Sequence, residues 1–328
     1  MVIDWEHHYL PEELMLKKGG KKGETTIVYE HGRPRGNLRS ELADVEEHLR
    51  VMDTAGIDMA VLTIAVSSDA SEEALEECKI WDNCAAEVIR KYPQRFSALA
   101  PIPPLGGTRA FAELKRAVEE LGIKGVVVRS QVNGKSMDAQ ELYPFYEQVQ
   151  ALKVPIFVHP SGVQQGFDIL DAPYDLGRSI GRELDLTVAT TRIILSGVLD
   201  DFPELTFVMS HKGGAIAAVK DRIEYQFGHT GWPGTRPQGT RNRLPFDQAL
   251  KRMYFNLAGS HGGMSSIQCA LTAISPERLV FGTDYPQEFF DEDPRNIKTY
   301  IENIRKLDLD TASKEAMLGE NARRLLRL

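Results

Sequence analysis

The chain reads as an α/β protein, a closed (β/α)8 TIM barrel with a small flap inserted after its first strand. Three observations lead there. Eight short apolar runs bounded by turn residues alternate with longer stretches of helical period. A length of 328 residues suits one such barrel, and no change of composition marks a linker, so residues 1–328 read as a single domain. No glycine-rich phosphate loop opens a helix, which removes the open nucleotide-binding sheet.

In chain order, the strand-like runs are 2–8, 59–65, 96–102, 125–130, 155–159, 205–211, 253–258 and 279–284. Helical periodicity fills 40–55, 71–91, 108–121, 139–152 and 214–227, and a last helix closes the chain near 311–328. Two stretches interrupt the alternation. Residues 19–39, "GGKKGETTIVYEHGRPRGNLR", are long for a connection and predict a hairpin flap on the active-site face. Residues 228–245, "GHTGWPGTRPQGTRNRLP", follow the sixth helix and fall at the non-catalytic end of a lone barrel.

Composition narrows the function. With 42% apolar and 26% charged residues the chain is globular, and its net charge of −8 argues against phosphate-backbone binding. A small anionic substrate therefore needs a local cluster of cations. No apolar run reaches the roughly 18 residues that span a bilayer, and Met1 leads directly into a strand, so a cytoplasmic protein without membrane contact is expected. Cys78, Cys84 and Cys269 are unclustered and suggest neither disulfides nor a thiolate metal site.

Barrel active sites are built from the carboxyl ends of strands. Here "VPIFVHP" ends in His159, "LTFVMSH" in His211, "VFGTDYP" in Asp284, and the opening strand carries Glu6 and His8. Metal-ligand or acid/base side chains thus end four separate strands. A strand period of two sends Asp4, Glu6 and His8 one way and Ile3, Trp5 and His7 the other. That phase directs Glu6 and His8 to the barrel interior and leaves Trp5 and His7 to pack on the surrounding helices. His48 in the first helix and His261 after the seventh strand are further candidates for substrate contact, whereas His31 and His229 read as solvated loop residues.

Six segments in order, "DWEHH", "MDTAGIDMAVL", "YPFYEQVQALKVPIFVHPSG", "SGVLDDFPELTFVMSHKGG", "ERLVFGTDYP" and "GENARRLL", make the chain resemble the amidohydrolase superfamily. Within it the resemblance is to the branch of aminocarboxymuconate-semialdehyde decarboxylase and the resorcylate and hydroxybenzoate decarboxylases. That branch usually opens with D-x-H-x-H. Asp4-Trp5-Glu6-His7-His8 departs from it by putting Glu6 at the first histidine, similar to the E-x-H variant among aromatic-acid decarboxylases.

The resemblance implies metal ligands at Glu6, His8, His159 and Asp284, with His211 as an acid/base or water-orienting group and Asp284 as a second proton-transfer group. Two carboxylates and two imidazoles suit one divalent ion, Zn²⁺ or Mn²⁺. The implied reaction is non-oxidative decarboxylation of an aromatic or unsaturated hydroxy or amino acid, releasing CO2. The alternative is a hydrolase (lactone, ester or amide) or a hydratase using metal-bound water. Arg129, ending the fourth strand, is the nearest counter-charge for the substrate. In the semialdehyde decarboxylases arginines after the sixth helix enter a neighbouring subunit's site. The comparable stretch here holds Arg222, Arg236, Arg241 and Arg243, so a homodimer or higher homo-oligomer is implied.

Overall fold

The computed structural model describes residues 1–328 except 31–32, 65–69, 162–169, 171–173, 175, 229–239 and 291–292. Eight parallel strands follow one another in chain order around a single sheet. They are β1 Ile3–His8, β2 Met59–Thr63, β3 Phe96–Pro101, β4 Gly125–Arg129, β5 Ile156–His159, β6 Phe207–Met209, β7 Tyr254–Asn256 and β8 Leu279–Val280. The sheet closes on itself where Trp5 N donates to Phe281 O at 2.9 Å, His8 N to Tyr285 O at 2.7 Å and Asp284 N to Glu6 O at 2.9 Å.

Helices α1 Val45–Ala55, α2 Glu72–Lys91, α3 Gly107–Glu119, α4 Tyr143–Leu152, α5 Ile180–Ser196, α6 Ile216–Gly228, α7 Met264–Leu271 and α8 Arg295–Arg305 connect the strands. Their limits follow from capping chemistry. Asp44 Oδ1 accepts from Glu47 N at 3.0 Å and starts α1 five residues later than its periodicity suggests, after a short 3-10 turn, Ser40–Ala43. Gly56, at φ 80°, ends it. Ser71 Oγ caps α2 by accepting from Ala74 N at 3.1 Å.

Two apolar layers result. Ile3, Trp5, Val61, Val127, Phe157 and Val208 fill the barrel, while Ala60, Leu62, Val126, Val128, Val158 and Met209 join the helices outside. The expected flap is an antiparallel hairpin, Thr25–Glu30 with Arg33–Arg39.

Candidate active site

The first strand does not keep a period of two. Ile3 and Asp4 pair with Met59 and Ala60, but His7 and His8 pair with Leu62 and Thr63, so Trp5 and Glu6 together face one residue of β2. This is a β-bulge, a device that turns one extra side chain. It corrects the phase expected above for three residues, Ile3 too filling the barrel. Trp5 points into the barrel, its ring 6.4 Å from that of Phe157 on the far wall. Asp4 points outward. Beyond the bulge the alternation resumes, and Glu6 and His8 both turn inward with His7 between them facing out.

Ligand-type atoms of Glu6, His8, His159 and Asp284 all lie within 4.8 Å of one another. His8 Nε2 is 2.7 Å from Asp284 Oδ1, and His159 Nε2 is 3.5 Å from Glu6 Oε1. Ser210 Oγ donates to Glu6 Oε2 at 2.9 Å, a contact across 204 residues that no local pattern announces. Burial, then the charge of Asp284, pushes Glu6 well above the usual carboxylate range, with Ser210 opposing. Asp284 is also buried, yet the His8 hydrogen bond and charge, with His211 and His159 behind them, draw it down to about 2. Burial and the neighbouring His8 hold His159 well below the ordinary imidazole value, leaving it a neutral donor. Two converging carboxylates and two imidazoles, with one carboxylate disfavoured by the other's charge, fit a divalent cation.

His211 and Asp284 adopt left-handed backbone, at φ 46° and 60°, a sparsely populated region for such residues. Two glycines make room. A Cβ on Gly259 would stand 2.2 Å from His211 Cγ, and one on Gly214 would stand 2.0 Å from the Glu183 carbonyl oxygen. The second close approach brings α5 against the turn after β6, so that His211 Nδ1 lies 2.9 Å from Glu183 Oε1. His211 Nε2 is buried without a partner among the described residues. Lys212 ties the same turn to the end of β7 by donating to Ala258 O at 2.6 Å.

Behind β1 runs a polar chain. Asp4 accepts from Thr283 N at 2.9 Å, from Thr283 Oγ1 at 2.6 Å and from Glu6 N at 3.3 Å. His7 Nδ1 lies 2.8 Å from Asp4 Oδ2, and His7 Nε2 lies 2.8 Å from His48 Nδ1. His48 Nε2 lies 2.7 Å from the Glu41 carbonyl, which can only accept. Burial and His7 hold His48 down to about 3, so it is neutral, with its hydrogen on Nε2 and a lone pair on Nδ1. His48 Nδ1 is thus the acceptor toward His7 Nε2, and Asp4 stands at the other ring nitrogen of His7. Substrate contact expected of His48 is corrected accordingly, because both of its ring nitrogens are engaged on the outer side of the barrel.

A cavity of about 670 Å³ borders the cluster at Asp284. Its wall includes His211, Asp284, Glu183 and Glu288, with Gly36 and Asn37 of the flap. Arg178, ending the 3-10 turn Leu176–Arg178 before α5, and Arg182, in the first turn of α5, also line it. Among the described residues Arg182 has no hydrogen-bond or ion-pair partner. Burial and Asp284 raise the Glu288 carboxyl. Arg129 pairs in register with His159 and shares the interior phase of Val127. Arg222 lies exposed on α6 and does not line this cavity. Arg236, like His31 and His229, lies outside the described residues. Sequence reasoning missed Ser210, Glu183, Gly259 and Arg182. Only the glycine-rich "HKGG" and "LAGSHGG" stretches hinted that backbone approaches closely there.

A family model described as Amidohydrolase matches residues 3–328. Gamma-resorcylate decarboxylase of Polaromonas sp. strain JS666 is 29% identical over 339 aligned positions, covering 99% of this chain and 98% of the relative. A 2-amino-3-carboxymuconate-6-semialdehyde decarboxylase of Dictyostelium discoideum is 27% identical, covering 100% and 92%. Among solved structures, a dihydroxybenzoic acid decarboxylase from Polaromonas sp. JS666, with bound manganese and the inhibitor 2-nitroresorcinol, superposes with a TM-score of 0.82. It shares 23% identity, and the match covers 100% of this chain and 97% of that one.

Proposed function

The chain belongs to the amidohydrolase family, and from that premise we propose that it is a metal-dependent, non-oxidative decarboxylase of a small aromatic hydroxy acid. One observation carries the reading: Glu6, His8, His159 and Asp284 converge, and Asp284 borders a cavity lined also by His211 and the unpaired Arg182. Decarboxylases among its relatives support the reaction class. Zn²⁺ or Mn²⁺ held by the four ligands would supply Lewis-acid polarisation of the substrate's oxygens, and manganese in a structural neighbour supports that choice.

The chain's own residues do the rest. Arg182, with Arg178 and Arg129 nearby, meets the negative charge of the acid. Loss of CO2 leaves an electron pair on the ring carbon, which must take a proton. Asp284 is held ionised, so it gives a proton only after taking one from the substrate. His211, which borders the cavity and keeps Nδ1 on Glu183, would relay the proton through Nε2, taking it from solvent or the substrate's hydroxyl and passing it to the ring carbon.

The catalytic unit is the single barrel domain 1–328, and a homodimer is its proposed state. Ile27, Val28 and Tyr29 are successive exposed apolar residues on the flap, supporting burial against a second copy. In such a dimer, Arg222 and Arg236 serve a partner's site. No helix among the described residues is long and apolar enough to cross a membrane, and three free cysteines support a reducing, cytoplasmic location.

Purified protein loaded with Mn²⁺ or Zn²⁺ should release CO2 from 2,6-dihydroxybenzoate or a related hydroxybenzoate. Lactone or ester cleavage without CO2 from any hydroxybenzoate would replace this reading with the hydrolase. Sedimentation of a monomer at micromolar concentration would remove the dimer.

A further inference from the structure

We infer that His48, on the helix side of β1, is a positioning residue for the metal centre, acting through His7 and Asp4 on the bulge that presents Glu6 and His8. The inference rests on the reading of Glu6 and His8 as metal ligands.

The geometry runs in one unbroken line. Glu41 belongs to the 3-10 turn at the foot of the flap, and its carbonyl receives His48 Nε2 at 2.7 Å. His48 Nδ1 takes the hydrogen of His7 Nε2 at 2.8 Å, and His7 Nδ1 reaches Asp4 at 2.8 Å. Asp4 then grips both sides of the barrel seam: Glu6 N within the bulge, and Thr283 N and Oγ1 next to Asp284. His7 lies between the two β1 ligands in sequence. Any rotation of its backbone therefore turns Glu6 and His8 together.

With Ile3 and Trp5 turned into the barrel, a regular strand would send Glu6 and His8 outward; the bulge brings them in but breaks local pairing. Something outside the barrel must hold it. Asp4, His7 and His48 are each at most 1% exposed, so their polar atoms have no water to fall back on. Tyr285 and Tyr9 rings flank His48 at 5.7 and 6.4 Å, which confines its plane. The chain thus gives the bulge one strongly preferred conformation, and ligand geometry at Glu6 and His8 inherits it.

The test compares Mn²⁺ binding to the full-length protein and to the variants His48→Phe, His48→Gln, Thr283→Val and Met52→Ala. Calorimetry gives the affinity, and low-temperature EPR of the fully loaded protein reports the symmetry of the ion's surroundings. His48→Phe should weaken Mn²⁺ about 10–100-fold and broaden the EPR pattern. His48→Gln should restore affinity to within about threefold, because its amide oxygen accepts from His7 and its amide N–H donates to Glu41. Thr283→Val, which loosens the far end of the chain, should weaken binding about tenfold and stands in should His48→Phe not fold. Met52 is a buried apolar residue of the same helix, and Met52→Ala should lower Tm while leaving affinity and spectrum unchanged.

Wild-type affinity and spectrum in folded His48→Phe, or in Thr283→Val if His48→Phe does not fold, would overturn the inference. Equal weakening in Met52→Ala would do so too, by reducing the effect to general loosening, and so would failure of His48→Gln to restore binding. Absence of Mn²⁺ and Zn²⁺ binding by the wild-type protein would instead defeat the metal reading itself.

Discussion

Two places in this molecule bring buried carboxyl groups together. At the mouth of the barrel Glu6 and Asp284 converge with His8 and His159. Between α2 and α3, burial and the adjacent Glu113 raise Asp82 well above the usual range. The pairs differ in what neutralises them and in access. Glu113 is engaged by Arg116 through two hydrogen bonds of 2.9 and 2.7 Å, and Asp82 does not line the cavity that Asp284 borders. Around Glu6 and Asp284 stand the metal-competent imidazoles of His8 and His159, and Asp284 borders an open cavity of about 670 Å³. Buried acids alone therefore do not mark a site. Convergence with imidazole donors beside an open, partly cationic cavity does.

The largest test of that contrast is Glu6→Gln. Removing one charged ligand should weaken Mn²⁺ or Zn²⁺ by more than about 100-fold and abolish CO2 release, measured by calorimetry and by CO2 assay. Asp82→Asn should change neither quantity. If both substitutions cost metal alike, the distinction between the clusters fails.

Gly259→Ala probes the proton-handling side. Its Cβ would enter the space of the His211 ring, so kcat should fall about 100-fold. Metal affinity should stay within a few-fold of wild type, since His211 is not among the four clustered ligands. Activity that survives this substitution would free His211 from its proposed role.

Arg182→Gln addresses the cation in the cavity. Loss of one charge-assisted contact to the acid should raise KM about tenfold with little change in kcat. An unchanged KM would move the counter-charge to Arg129 or to a partner subunit.

The smallest effect belongs to Asp82. A carboxyl whose folded pKa lies above its unfolded value binds its proton more tightly when folded, so this contribution to stability is lost as pH rises through the folded value. Asp82→Asn should therefore leave Tm nearly unchanged at pH 4 and raise it by about 2 °C at pH 8, followed by calorimetric unfolding. An equal shift at both pH values would assign the effect to packing.

By itself the sequence determined the alternation of eight strands with helices, the hairpin after β1, and the strand ends that carry Glu6, His8, His159, His211 and Asp284. These are local quantities: apolar period, turn residues, and which side chain closes a run. Its reading of β1 stopped at the bulge, because an extra residue becomes visible only when the partner strand is aligned beside it. Ile3, Asp4 and Trp5 consequently changed faces, while Glu6 and His8 kept theirs. Tertiary structure alone decided that Ser210 meets Glu6, that Glu183 meets His211, that Arg182 borders the cavity, and that His48 serves the strand from behind. Each of these joins separate elements of the chain, and only closure of the barrel and the close helix approach at Gly214 set the distances between them.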